Sequence, residues 1–130
     1  MAAIKERQDL MERQEKDVKA ISEYGKGTSD QATAIEKLND LLAIAPTIPD
    51  HFVPGTSDAD FPDKTHAKAE AWEDLGKLKT IALHLRQDEE GLLATVKSGD
   101  QQKVGPQLIA LYRDNCTVCH TQFRSPYKDE

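Results

Sequence analysis

The sequence predicts an all-α fold, an antiparallel bundle of four helices formed by a single domain. Its length of 130 residues is that of one ordinary domain. Apolar residues recur at steps of three and four in four segments, which is the spacing of one helix face. No segment of useful length alternates apolar and polar residues with a period of two, so a β-sheet is not expected. The four helices, A to D, are predicted at about residues 3–26, 29–45, 63–97 and 101–124.

Helix A is predicted because its apolar stripe meets no proline or glycine before Gly25. For helix B, Thr28 or Ser29 is the expected N-cap, and Pro46 ends the helix because proline cannot continue it. Residues 46–62 hold four of the six prolines and show no sustained period. They are predicted to form a long surface connection between helices B and C.

Helices C and D each contain a possible break. Helix C is predicted to open at Asp63 and to bend or split near Gly91. Asp100 is the expected cap of helix D. Pro106 lies inside that segment, so we expect helix D to begin nearer Gly105 or to bend at the proline.

The composition excludes several classes of protein. The formal net charge is −6, with the acidic residues scattered along the chain, which argues against a nucleic-acid-binding surface. The longest apolar run, residues 41–45, is far shorter than the ~20 residues of a bilayer-spanning helix. One Trp, three Tyr and three Phe are few rings for a core. We therefore expect another apolar group to contribute to the interior.

A single motif carries most of the functional information. The two cysteines, Cys116 and Cys119, are followed directly by His120, which gives C-x-x-C-H, the attachment pattern of c-type haem. Thiols three residues apart lie on one helix face, so each can add to a haem vinyl group. The adjacent imidazole is then brought to the iron. The motif thus supplies both the tether and a ligand.

Three alternatives to haem remain for this motif. A redox-active dithiol usually follows a strand and lies at a helix N-terminus, whereas this motif lies late in a predicted helix. A structural zinc site would need a fourth ligand from His51, His66 or His84. The third alternative is a pair of buried free thiols.

Covalent haem attachment is completed outside the cytoplasm, so the motif predicts a bacterial periplasmic protein. The chain begins MAAIKE, without a charged segment that leads into an apolar one. We interpret it as a mature or re-expressed form from which the signal peptide is absent.

The whole chain resembles the class II c-type cytochromes, the cytochrome c′ family. The motif extends over residues 116–124 as CTVCHTQFR, and three weaker features accompany it: residues 7–11, Lys26-Gly27 at the end of helix A, and Trp72 early in helix C. The resemblance implies a four-helix bundle with one haem c bound covalently through Cys116 and Cys119, and His120 as an iron ligand.

Met11 decides which members of the family the chain is most like. It lies sixteen residues before Gly27, the position that by resemblance faces the iron. Thioether sulfur is a soft neutral donor, and Met/His ligation favours low-spin iron. The chain therefore resembles the low-spin, methionine-ligated members, in which Met11 and His120 hold the metal. A core methionine that fills a gap is the simpler alternative. His51, His66 and His84 are alternative sixth ligands.

The resemblance also implies haem contacts for Arg7, Trp72, Phe123 and Arg124. Arg7 lies one turn before Met11 and is expected to reach a haem propionate. Trp72 is expected to pack close to the haem, Phe123 under the proximal side, and Arg124 over the proximal imidazole. Ordinary core packing or solvated charge is the alternative for each.

With both axial positions filled, the expected function is electron transfer by a protein that is not an enzyme. The net charge of −6 suggests a redox partner with a basic docking surface. A monomer, or a homodimer through helices A and B, is expected. One alternative function is a five-coordinate, high-spin protein that binds NO or CO. The other is a haem-free helical module that depends on zinc or thiols.

Overall fold

The computed structural model describes residues 2–124, and its architecture is a bundle of four long helical segments. In chain order the elements are α1 (Ala2–Gly25), α2 (Gln31–Ile44), a 3₁₀ helix (Ala45–His51), the short α3 (Glu70–Glu73), α4 (Leu75–Lys97), α5 (Gln101–Leu111), a π-helical turn (Tyr112–Cys116) and α6 (Thr117–Phe123). Within the described residues the only β-type pairing is an isolated bridge between Ala67 and Arg124. The predicted all-α four-helix fold is confirmed.

Each long helix packs against two neighbours. α1 contacts α2 and α5, and α4 contacts the same two helices, so α1 and α4 lie diagonally across the bundle. The centre is filled by apolar side chains that are essentially inaccessible to solvent, among them Ile21, Leu38, Leu78, Leu92 and Val104. No helix in the described part of the chain has the length and apolar character needed to cross a bilayer.

The turn between α1 and α2 is set by local chemistry. Gly27 adopts a φ of 83°, which glycine tolerates far better than other residues. This allows the amide of Thr28 to reach back to the carbonyl of Glu23 at 2.9 Å. The predicted caps Thr28 and Ser29 are wrong. Asp30 caps α2 by accepting a hydrogen bond from the amide of Thr33 at 2.7 Å.

Helix C begins later than predicted. The start at Asp63 is wrong, because the chain becomes α-helical only at Glu70. The break in this region lies at Asp74, whose side chain caps α4 by accepting from the amide of Lys77 at 3.0 Å. α4 then runs unbroken through Gly91, which corrects the predicted split there. Burial of the neighbouring Leu92 outweighs the weak helix propensity of glycine.

Helix D starts at Gln101, and the predicted later start near Gly105 is wrong. A tight contact with the end of α1 holds its first turn in place. A Cβ atom on Gly25 would lie 3.3 Å from the backbone nitrogen of Gly105. In addition, the amide of the Gln101 side chain donates to the carbonyl of Tyr24 at 2.6 Å. Pro106 lies within α5, close enough to its start that only one first-turn carbonyl loses its partner.

Asp100 occupies the N-cap position of α5, but its side chain makes no capping hydrogen bond, contrary to the prediction. Its carboxylate instead forms an ion pair with Lys103 at 3.1 Å.

Arg7 of α1 fixes the long connection between α2 and α4. Its guanidinium is buried and donates to the carbonyl of His51 at 3.2 Å and to the hydroxyl of Thr65 at 3.1 Å. It also donates to the hydroxyl and the carbonyl of Thr56, at 2.9 and 2.7 Å. These four hydrogen bonds tie three points of the connection to one side chain, so Arg7 determines where that segment lies.

Two aromatic rings complete the surroundings of Arg7. The guanidinium carbon lies 5.2 Å from the ring centre of Phe52 and 5.3 Å from that of Trp72. The two rings meet edge to face with centres 5.3 Å apart, and the indole N–H of Trp72 donates to the carbonyl of Val53 at 3.0 Å. Trp72 therefore anchors the connection from α3.

We predict that Arg7→Met destabilises the protein by about 2–4 kcal/mol, because buried carbonyl and hydroxyl groups lose their donor. Arg13→Met is the matched control. Arg13 is exposed and paired with Asp40, and surface ion pairs contribute about 0–1 kcal/mol. Denaturant unfolding measures both values, and limited proteolysis should cut the connection faster in Arg7→Met alone. Equal stabilities of the two variants would contradict the role given to Arg7.

Candidate functional site

The bundle opens into one large cleft of about 580 Å³, a size typical of cofactor sites. Its walls come from α1, α4, the long connection and the last helical segment. Apolar side chains form much of the lining, including Val18, Ile48, Leu78, Ile81 and Leu85. The site is therefore suited to a large, mainly apolar group.

All three functional residues of the C-x-x-C-H motif line this cleft. Cys116 and Cys119 are free thiols, and burial raises the pKa of each to about 11. The nearby carboxyl group of Glu89 adds to the effect on Cys116. A redox-active dithiol requires a lowered thiol pKa at a free helix N-terminus, whereas here both pKa values are raised and the π turn that ends at Cys116 runs directly into α6. Two protonated thiols in one apolar cleft are suited to covalent attachment of a cofactor.

A π-helical turn, Tyr112–Cys116, leads into the motif and includes its first cysteine. It adds one residue to the turn and so changes which side chains face inward. Tyr112 is 47% exposed at the edge of the cleft, whereas Asn115 is 1% exposed. The Asn115 amide donates to Asp88 at 2.7 Å, and its oxygen lies 2.5 Å from Nδ1 of His84. Asn115 thus ties the segment before the motif to α4, a role that the sequence pattern did not predict.

Burial lowers the pKa of His120, and the positive charge of Arg124 lowers it further. This favours the neutral imidazole that metal binding requires. The zinc alternative is not supported, because no group of three or more His, Cys, Asp or Glu side chains within residues 2–124 is arranged to hold a metal ion. Of the candidate fourth ligands, only His66 lines the cleft.

Met11 of α1 lines the same cleft as the motif. Its sulfur accepts a hydrogen bond from the side-chain amide of Gln14 at 3.4 Å. Sequence reasoning missed Gln14, although its place three residues after Met11 on a helix puts the two side chains side by side. One lone pair of the sulfur is used by this bond, and the other is left for a metal.

The remaining predicted contact residues divide into two groups. Arg7, Phe123 and Arg124 line the cleft, and Phe123 is almost fully buried. The carbonyl of Phe123 accepts a hydrogen bond from the amide of Lys68 at 2.7 Å, which joins α6 to the connection. Trp72 is not among the lining residues, because Phe52 stands in its place at the cleft wall.

These residues fit a haem c. Two thiols and an imidazole come from one helix end, a thioether comes from another helix, and the cleft between them is largely apolar. Phe52, Gln14 and Asn115 are the functional candidates that the sequence analysis did not identify.

Comparison with known proteins agrees with this site. The family model described as cytochrome c′ matches residues 2–124. The solved cytochrome c′ of Thermochromatium tepidum is 22% identical, with coverage of 96% of this chain and 95% of that chain and a TM-score of 0.81. The recombinant cytochrome c′ of Alcaligenes xylosoxidans is 21% identical, with coverage of 95% and 94% and a TM-score of 0.77.

A third solved structure is a cytochrome c′ described as having a ligand-controlled dimer dissociation. It is 23% identical, with coverage of 96% of this chain and 95% of that chain and a TM-score of 0.83. A search among curated proteins gave no match. The family match over almost the entire chain shows that the protein belongs to the cytochrome c′ family, haem proteins of electron transfer and gas binding that carry one covalent c-type haem.

Proposed function

We propose that this protein is a low-spin electron carrier in which His120 and Met11 are the axial ligands of the haem iron, and Cys116 and Cys119 are its covalent attachments. The observation that supports this most is the presence of Met11 and the motif in one cleft. Bound haem c supplies the reversible Fe(III)/Fe(II) change, and Met/His ligation raises its potential. With His120 and Met11 both holding the iron, no position would be left for a substrate, so the protein would be a carrier and not an enzyme.

The chain's own residues hold these groups in place. The π turn and Asn115 fix the helix that carries the motif, and Gln14 orients the sulfur of Met11. A rigid cage of this kind keeps the geometry similar in both redox states, which favours rapid electron transfer. We further propose that Phe123 packs on the proximal side and that Arg124 shields the imidazole of His120. Arg7 and Trp72 act mainly by fixing the connection beside the cofactor.

We propose that the protein works in the bacterial periplasm, because covalent haem attachment is completed outside the cytoplasm. Its oligomeric state is a monomer or a homodimer through α1 and α2. A dimer is supported by the related cytochrome c′ whose dimer dissociates under ligand control.

The second candidate function is gas binding at a five-coordinate iron. It is favoured by the fold, since one related structure is a ferrous cytochrome c′ variant from Alcaligenes xylosoxidans with bound NO. The two candidates differ in the role of Met11. Ligated methionine blocks the sixth position, whereas a methionine that only fills space leaves it open to NO or CO.

We predict that the oxidised protein shows the far-red charge-transfer absorption of a methionine–Fe(III) bond and that Met11→Ala loses it. The variant should become high-spin and bind CO faster, because alanine has no donor atom. Val18→Ala is the control, since Val18 also lines the cleft but has no donor atom of its own. A high-spin spectrum of the unaltered protein would favour gas binding. A low-spin Met11→Ala would assign the sixth position to another residue, with His66 the first to be tested.

We predict that Gln14→Leu lowers the reduction potential. The hydrogen bond from the Gln14 side chain draws electron density away from the Met11 sulfur. Without this hydrogen bond the sulfur is a stronger donor to Fe(III). The equilibrium constant for reduction should fall by about threefold to tenfold, as expected for the loss of one modest hydrogen bond. Gln8→Leu is the control, because Gln8 also lines the cleft but donates to the carbonyl of Lys64. A redox titration in which both variants match the parent would contradict this role.

We predict that electron exchange with a basic redox protein slows as ionic strength rises from about 0.01 to about 0.15 M, where the Debye length falls from ~30 to ~8 Å. The net charge is −6, and exposed Glu12 and Glu15 lie at the cleft, where they attract a basic surface. Glu12→Gln/Glu15→Gln should slow the exchange at low salt, whereas Glu36→Gln on α2 should have little effect. Stopped-flow rates that are independent of salt would argue against a basic partner.

A further inference from the structure

Two carboxyl side chains lie inside the bundle although nothing in the proposed electron carrier requires them there. Glu89 of α4 is 1% exposed and Asp17 of α1 is 4% exposed. Oε1 of Glu89 and Oδ2 of Asp17 are buried and have no hydrogen-bond partner among residues 2–124. Buried carboxylates are costly unless they are paired or protonated. These two side chains therefore need an explanation.

Both acids lie in the interior of the bundle close to the cofactor cleft, although neither side chain lines it. Asp17 is next to Val18 in the chain, Glu89 lies one helical turn after Leu85, and both of those apolar residues line the cleft. α1 and α4 are diagonal in the bundle, so side chains directed to the interior from these helices approach each other across its centre. The charge of Asp17 acts on Glu89, and the charge of Glu89 in turn acts on Cys116. The acids are thus electrostatically linked to each other and to the attachment site.

The charges around the pair come from α1, α2, α4 and the last helical segment. Asp17 and Arg13 lie on α1, Lys37 and Asp40 on α2, Arg86 and Asp88 on α4, and the thiol of Cys116 on the last helical segment. Asp88 raises the pKa of Glu89 and Arg86 lowers it, while Lys37 and Arg13 lower the pKa of Asp17. Of the basic side chains named here, Arg13 pairs with Asp40 and Arg86 with Glu90, and none of the three forms an ion pair with either acid.

Burial is the main influence on both groups. It raises the pKa of Glu89 to about 8. Burial, together with a hydrogen bond to Asp40, raises the pKa of Asp17 to about 7. Carboxyl groups with such values exchange protons with solvent near neutral pH, unlike exposed carboxylates.

We propose that Glu89, with Asp17 beside it, forms an interior proton-binding site at which the protein takes up one proton as it accepts one electron. The oxidised protein with Glu89 ionised receives one electron from a one-electron donor protein, and the carboxylate of Glu89 receives one proton from solvent. On oxidation the electron leaves to an acceptor and the proton returns to solvent. The ligand of this site is therefore the proton.

Charge balance explains why Glu89 takes up a proton on reduction and not on oxidation. Reduction removes one unit of positive charge from the cofactor beside Glu89. The carboxylate then loses an attractive interaction, and its affinity for a proton increases. Since Glu89 lies in a dehydrated interior, the two charges are weakly screened and their interaction is strong. By linkage, a proton bound at Glu89 favours the reduced protein.

The test is the pH dependence of the reduction equilibrium of the haem-containing protein, followed by voltammetry from about pH 5 to about pH 10. The equilibrium constant for reduction should be constant at the acid end. Above the pKa of Glu89, about 8, it should fall by up to about tenfold per pH unit. Glu89→Gln, which keeps the shape of the side chain, should reduce the fall to about twofold per unit or less. Glu90 is exposed on the same helix, so Glu90→Gln should keep the pH dependence of the unaltered protein.

A second measurement does not depend on the variants. The reduced-minus-oxidised infrared difference spectrum of the unaltered protein should gain the carbonyl stretch of a protonated carboxylic acid near pH 8.5, a value just above the pKa of about 8. The band should be absent from Glu89→Gln. A Glu89→Gln protein that keeps the parental pH dependence, or a spectrum without this band, would overturn the proposal.

The inference rests on the proposed electron transfer but not on Met11 as a ligand. A protein that cannot be reduced reversibly would contradict the proposed function. Reversible reduction that does not vary with pH would leave that function intact and overturn the proton-binding site alone.

Discussion

The bundle does not close completely, because an apolar cleft remains beside its packed core, and this constraint governs the rest of the molecule. Four helices with few aromatic side chains leave this cleft of about 580 Å³ unfilled by the chain's own side chains. A large apolar cofactor completes that interior. The covalent haem of this family is therefore also part of the hydrophobic core, so its attachment contributes to the stability of the fold.

Local signals predicted some parts of the molecule well and long-range contacts decided the others. The helical fold and the placement of the motif followed from apolar periodicity and from one pentapeptide. The start of helix C could not be predicted from such signals, because Arg7, far away in α1, holds the preceding residues in turns. The start of α5 depends on the close approach of Gly25 and Gly105, which no local pattern reveals. Asn115 was missed because the pattern assumed an unbroken α-helix.

The protein buries two kinds of polar group, which have different roles. Arg7 is buried with four hydrogen bonds, so its charge is stabilised permanently and it acts as a fixed anchor. Glu89 is buried with an unpartnered oxygen, so its charge is easily lost. A satisfied buried group makes a structure rigid, whereas an incompletely satisfied one makes it responsive. Arg7 reaches from α1 into the connection, whereas Glu89 lies on α4 in the interior of the bundle.

The π turn before the motif has a consequence for protein engineering. One additional residue in a helix rotates everything after it by about 100°. Residues 112–116 therefore set the angular position of the attachment cysteines relative to the cleft. Anyone who transplants this pentapeptide into a designed helical scaffold has to carry the preceding turn with it or shift the helix by one position. Otherwise the sulfur atoms would face solvent.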